Sequence, residues 1–175
     1  YYISIPAEVS SNLDRYDGMR YGLRVDGDTL LDVYEKTRAE GFGEEVKRRI
    51  LLGTYVLSSG YYDAYYAKAE AVRELMREEL AHVFTSVDLV LTPSAPTVAF
   101  TFGAHADPVS IYKQDIFTVP VNLTGVPAIS IPGGVVQKGD KSLPVGVQYI
   151  APHGGDTRLF DIGKKIYDAL LPEEQ

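Results

Sequence analysis

The hydrophobic period of this chain changes after Val87, from helices alone to strands interleaved with helices, and that change most restricts the folds it can adopt. Before it, apolar residues recur every three or four positions over 29–39, Glu44–Leu57 and 61–87, the spacing of helices with one buried stripe. Asp28 is the expected N-cap of the first of these and Gly41 its stop. On 61–87 the expected buried side carries Tyr65, Val72, Leu75, Met76, Leu80 and Val83. Beyond Val87 come three short apolar runs, DLVL (88–91), AISI (128–131) and VGVQYI (145–150), which read as strands, the first buried on both faces. The glycines and Pro144 between the last two suit a hairpin-like connection. Helices are also expected over 6–14, over 112–124 with a kink or restart at Pro120, and over 156–171, capped by Asp156 and ended by Pro172. Helices interleaved with buried strands predict an α/β protein, layered α/β/α, with a mixed sheet and covering helices.

Size and charge narrow the function. At 175 residues the chain suits one domain with its own core. It opens on Tyr1 with no initiator Met and no basic, apolar leader, and is expected to be a cytoplasmic piece of a longer polypeptide. No apolar run approaches the ~20 residues of a membrane span. A net charge of −7 argues against its being the main grip on a nucleic acid. Lys47, Arg48 and Arg49, flanked by Glu44 and Glu45, read as a salt-bridged helix face. The absence of cysteine excludes disulfides and zinc–thiolate sites. His82, His105 and His153 lack the spacing of a metal site, and no metal is expected. The glycine pairs Gly133–Gly134 and Gly154–Gly155 lack the context of a phosphate loop.

Three places concentrate chemistry. The stretch SSNLDRYDGMRYG (10–22) sets two arginines, an aspartate and two tyrosines around Gly18 and Gly22, a density that suits a loop lining a site better than a solvated turn. On the helix Glu44–Leu57, the residues Val46, Ile50, Gly53 and Leu57 form a stripe, with Arg49 at its edge beside Gly53 and Val56 and Arg48 on the opposite side. A guanidinium on the inward edge needs an anion, either a structural carboxylate or a ligand carboxylate held bidentately. Asp115, in YKQDIFTVPVNLTG, poses the reverse case, either capping a helix locally or receiving a ligand ammonium.

Taken in order, SSNLDRYDGMRYG, AEGFGEEVKRRILLGTYVLSSGYYDAYY, LTPSAPT, FTVPVNLTGVPAISIP and LPVGVQYIA resemble the blocks of amidase-signature enzymes. The first two are similar specifically to those of the A subunits of aspartyl/glutamyl-tRNA amidotransferases. The resemblance implies a protein that hydrolyses glutamine to glutamate and ammonia, within a hetero-oligomer whose partner subunit uses the ammonia to amidate mischarged Glu-tRNA(Gln) or Asp-tRNA(Asn). ATP and Mg would belong to that partner, which would also grip most of the charged tRNA, so no cofactor and no membrane contact is expected here.

The family's nucleophilic serine, bridging serine and lysine base have no counterpart among these residues. Ser10, Ser11, Ser58 and Ser59 belong to other blocks and lack the glycines of an oxyanion hole. The resemblance therefore implies the C-terminal portion of one amidase-signature domain, residues 1–175, holding the substrate-binding half without catalytic residues or activity of its own. By the same resemblance, Arg49 matches the arginine that grips the glutamine α-carboxylate, Asp115 the aspartate that takes the α-ammonium, and Tyr1 a tyrosine near the ligand. The alternatives are part of another amidase-signature hydrolase acting on a small amide, and a non-catalytic interaction module.

Overall fold

A computed structural model describes residues 1–104 and 108–170. The chain divides into two compact units, Tyr1–Val72 and Arg73–Gln175.

The first unit is helical. Helix α1 (Ser4–Leu13) packs on α3 (Glu44–Leu57), with α2 (Leu30–Gly41) between them in sequence. The α1–α3 contact centres on Gly53, which is buried. A Cβ there would collide with the Pro6 carbonyl and come within 2.7 Å of the Ser10 Oγ. Only a residue without a side chain lets the α3 backbone come this close to α1. The α3 boundaries match the periodicity. The buried line, however, runs through Gly53 and Val56, while Leu57 is exposed and Ile50 half-buried, so the helix is turned slightly from the expected stripe. On α2 the N-cap is Thr29 and not Asp28. The Thr29 hydroxyl accepts from the Asp32 N–H at 3.1 Å, and the Asp32 carboxylate accepts from the Thr29 N–H at 3.0 Å, a reciprocal cap that an Asp28 start cannot form. Gly41 is the last residue of the helix, closed by the Phe42 N–H on the Arg38 carbonyl.

The 10–22 stretch is not one loop. Ser10 and Ser11 lie within α1, and the loop proper spends its polar groups on itself and on α2. Asp17 is buried and accepts from the Met19 N–H (2.9 Å), the Arg20 N–H (3.2 Å) and the Arg20 Nε (2.8 Å). Gly18 has a positive φ of 78° and abuts the buried Thr37, whose hydroxyl takes the Val25 N–H at 3.0 Å. From α2, Arg38 holds the Tyr16 and Asp14 carbonyls at 3.1 and 2.8 Å. The loop is a self-braced piece of structure, and Tyr16 and Gly22 line a small cleft of about 160 Å³ against α2.

A π-helical turn, Tyr62–Ala67, leads into α4 (Lys68–Val83), within which the boundary between the units falls. The stripe expected to be buried is not: Tyr65, Val72, Leu75 and Val83 are exposed, Met76 and Leu80 half-buried, and no residue of α4 is buried. Periodicity reports which face is apolar, and does not report what covers it.

The second unit carries the sheet. Strands β1 (Val90–Pro93), β2 (Ala128–Lys138) and β3 (Lys141–Ile150) lie in the order β1-β3-β2. The α/β class holds. Both ladders are antiparallel in place of the expected mixed sheet, because β2 turns directly into β3 at Gly139–Asp140 and β1 takes β3's other edge. β1 is consequently an edge strand with Leu91 exposed, instead of a strand buried on both faces. Helix α7 (Asp156–Leu170) packs on the sheet at Gly163, where a Cβ would lie 3.2 Å from the Ile129 Cδ1. Its expected end at Leu171 and Pro172 lies outside the described residues. The expected 112–124 helix is three pieces: α5 (Pro108–Tyr112), a 3₁₀ turn (Lys113–Asp115) and α6 (Val119–Thr124), which restarts with Pro120 in its first turn. Among the described residues no helix is long and apolar enough to cross a membrane.

Two consequences are measurable. Gly53→Ala forces a methyl group into a backbone carbonyl, so a loss of about 3 kcal/mol or more in urea denaturation is expected, against a small change for Gly43→Ala, whose Cβ would meet nothing. Asp17 is held down from 3.8 to about 2, first by the Met19 and then the Arg20 backbone hydrogen bond. A depressed carboxyl stabilises the fold above its unfolded value and loses that contribution as pH falls through the folded one. The stability gap between wild type and Asp17→Asn should therefore narrow as pH drops from about 4 to about 2. A gap constant over that window would mean the carboxylate charge is not what the loop uses.

Candidate functional site

Arg49 lies on the same line of α3 as Gly53 and Val56, with its side chain 29% exposed. The structure supplies a carboxylate from one turn earlier: the Arg49 Nε donates to Glu45 Oε1 at 2.8 Å. Arg48 pairs with the same Glu45 and is 40% exposed, so the two arginines differ less than opposite sides of a helix would suggest. Glu45 stands three and four residues before them and reaches both. The Arg49 Nη1 and Nη2 make no further hydrogen bond among the described residues. That leaves the terminal fork of the guanidinium, the part that matches a carboxylate bidentately, uncommitted.

Tyr1 is half-buried at the start of the same unit. Its carbonyl accepts the Ile5 N–H at 2.9 Å, opening α1, and its ring meets Tyr2 edge to face at 5.0 Å.

Asp115 belongs to the second unit and closes the 3₁₀ turn. Its backbone carbonyl accepts the Thr118 N–H at 3.1 Å and the Thr118 hydroxyl at 3.3 Å. The carboxylate itself is exposed, makes no hydrogen bond among the described residues, and caps no helix: the N-cap of α6 is Thr118, with no side-chain cap. Of the two readings its sequence context allows, the local cap is not the one realised. Beside it, Gln114 lines a cleft of about 750 Å³ walled largely by apolar side chains, among them Leu91, Phe100, Val136 and Val147.

One residue that sequence reasoning misses is Gln148 on the central strand β3. It is 5% exposed, and its amide nitrogen donates to the Thr92 hydroxyl on β1 and to the Phe117 carbonyl, both at 2.9 Å. A lone amide in the run VGVQYI is the available signal, since a polar side chain in a buried strand must have a partner. His153 lines a separate polar pocket of about 470 Å³ with Asn122, Gln148 and Asp156, while His82 sits in the last turn of α4 and His105 lies outside the described residues. Among the described residues no group of three or more metal-ligating side chains converges.

Against known proteins, the Amidase family profile matches residues 1–160. The A subunit of glutamyl-tRNA(Gln) amidotransferase from Parvibaculum lavamentivorans is 60% identical over 151 residues, 86% of this chain and 30% of that protein. The protein of the same name from Pelagibacter ubique is 56% identical over 93% of this chain and 33% of its own length. The crystal structure of the Thermotoga maritima protein, also a glutamyl-tRNA(Gln) amidotransferase A subunit, superposes with a TM-score of 0.59 at 40% identity, covering 83% of this chain and 32% of that one. The chain thus spans about a third of the length of the relatives it matches. With the profile matched along nearly its whole length, the chain belongs to the amidase family.

Proposed function

We propose that this chain is the glutamine-binding portion of the A subunit of a tRNA-dependent amidotransferase. The reading is supported by an uncommitted charge in each unit, at the position that the family resemblance assigns to substrate. These are the Arg49 fork beyond its bond to Glu45, and the Asp115 carboxylate, which among the described residues neither caps a helix nor pairs. Arg49 takes the α-carboxylate of glutamine and Asp115 its α-ammonium, with Tyr1 beside the ligand. Holding both charged groups of an amino acid selects for an α-amino acid and fixes the direction of its side-chain amide, which converts positioning into rate. The nucleophilic serine, its bridging serine and the lysine base come from the rest of the family domain, and this chain supplies binding and orientation. The ammonia released passes to a partner subunit that holds ATP, Mg and most of the charged tRNA, in keeping with the −7 charge of this chain. Relatives at 60 and 56% identity that are glutamyl-tRNA(Gln) amidotransferase proteins favour this assignment over a hydrolase of other small amides.

Two substitutions in the full-length protein test it. Arg49→Ala is expected to weaken glutamine use by about 2 to 5 kcal/mol, read as KM, while ammonia-driven amidation is spared. Arg48→Ala and Glu45→Gln should leave KM near the wild-type value, because the helix ion pair they disturb is worth only ~0.5 kcal/mol. If Glu45→Gln reproduces Arg49→Ala, the arginine is structural. Asp115→Asn keeps the side-chain shape and removes the charge. It should leave the melting temperature unchanged and weaken glutamine binding by roughly 1.5 to 3 kcal/mol, the worth of a charge-assisted hydrogen bond. Wild-type kinetics would remove Asp115 from the site.

A further inference from the structure

Asp115 sits on a turn with little regular structure of its own, yet an anion that orients a substrate must be held still. The turn is three residues of 3₁₀ helix, closed by the Asp115 carbonyl on Thr118, with the next helix starting only at Val119. Two side chains from outside fasten it. On its C-terminal side, the buried Gln148 amide donates to the Phe117 carbonyl, two residues past Asp115, and to the Thr92 hydroxyl, tying the turn to β3 and β1 at once. On its N-terminal side, the Thr97 hydroxyl donates to Gln114 Oε1 at 2.9 Å, immediately before Asp115. The two fasteners bracket the carboxylate, and neither touches it. Gln148 is also the only polar side chain of β3 that is buried, near the C-terminal end of the sheet's central strand where it is paired on both sides. A strand buried there is built more cheaply from apolar residues, unless the amide serves something.

We infer that Gln148 and Thr97 are positioning residues for glutamine binding, Gln148 holding the Phe117 carbonyl and Thr97 the Gln114 side chain of the turn that carries Asp115. The inference rests on the assignment of Asp115 to the substrate ammonium. It predicts that loosening either fastener weakens ground-state binding of glutamine and leaves turnover of bound glutamine intact, because the reacting amide lies at the other end of the substrate.

The test uses Gln148→Met, which keeps length and removes the donor, and Thr97→Val, an exposed change that keeps the fold even where the buried one does not. Each is made in the full-length protein, with Asp115 native and with Asp115→Asn, and Thr97→Ser serves as the rescue. With Asp115 native, both are expected to raise the glutamine KM about tenfold, the worth of one lost hydrogen bond, with kcat at saturating glutamine unchanged and Thr97→Ser restoring KM. In the Asp115→Asn background the further rise should vanish, since two residues acting through a third do not add to its loss. Full additivity would overturn the inference, as would an unchanged KM in Thr97→Val and Gln148→Met while Asp115→Asn alone raises it. If Asp115→Asn leaves KM untouched, the substrate role of Asp115 fails first and the inference falls with it.

Discussion

Close approach at glycines, against backbone at Gly53 and against side chains at Gly163 and Gly146, sets the geometry of both units. At Gly53 the α3 backbone comes up against the Pro6 carbonyl, and at Gly163 helix α7 comes down on Ile129 of β2. At Gly146 the Ser94 and Ser130 hydroxyls occupy the space a Cβ would need, 2.6 and 2.9 Å away, and contact each other at 2.5 Å. Protein interiors are packed to the density of crystals, so such sites leave no slack for a neighbour to yield. The positions of Arg49 and of the strand that fastens the Asp115 turn are inherited from these contacts. Arg49 lies one turn before Gly53 on the same line, and its direction is fixed once α3 is seated. Gln148 lies two residues past Gly146 on the strand whose pairing with β1 brings Thr92 within reach.

Much of the architecture was legible from local chemistry. Helix α3 begins and ends where its periodicity does, and Pro120 restarts a helix as its missing N–H requires. The runs AISI and VGVQYI mark two strands, but these extend to Lys138 and from Lys141, so the connection is the Gly139–Asp140 turn alone and not the whole 132–144 stretch. What escaped the sequence depended on partners instead of pattern. Asp28 and Thr29 are both good caps, and only the reciprocal bond from Asp32 decides between them. The α4 stripe is apolar as read, but no local signal tells an apolar face that is covered from one that is not. DLVL has the composition of an interior strand, and its place at the sheet edge is a matter of topology.

The candidate site shows the same division. Spacing alone put Arg49 beside Gly53 and Val56, as the structure has it, but overstated its contrast with Arg48, since one carboxylate at Glu45 serves both. The polar density of 10–22 has a local use that composition does not reveal. Asp17, Arg38 and Thr37 are consumed in bracing the loop, an arrangement whose composition cannot be told from that of a ligand site until the partners are seen. Asp115 stands out in the sequence as a carboxylate among apolar neighbours, and the structure removes the capping explanation for it.

The hairpin has one more property. Strand β1 pairs with residues 147–150 of β3, so beyond Gly134 the β2–β3 ribbon continues for several residues with no third strand beside it among the described residues and with Val135 and Val136 exposed. A two-stranded ribbon is marginal by itself, whereas the same strands flanked on both sides open only when the sheet does. The register break between Pro132 and Gly134 marks where one regime passes into the other. The outer half of the hairpin is thus free to breathe by local opening, on a timescale of its own, while the half that carries Gln148 keeps the protection of the sheet.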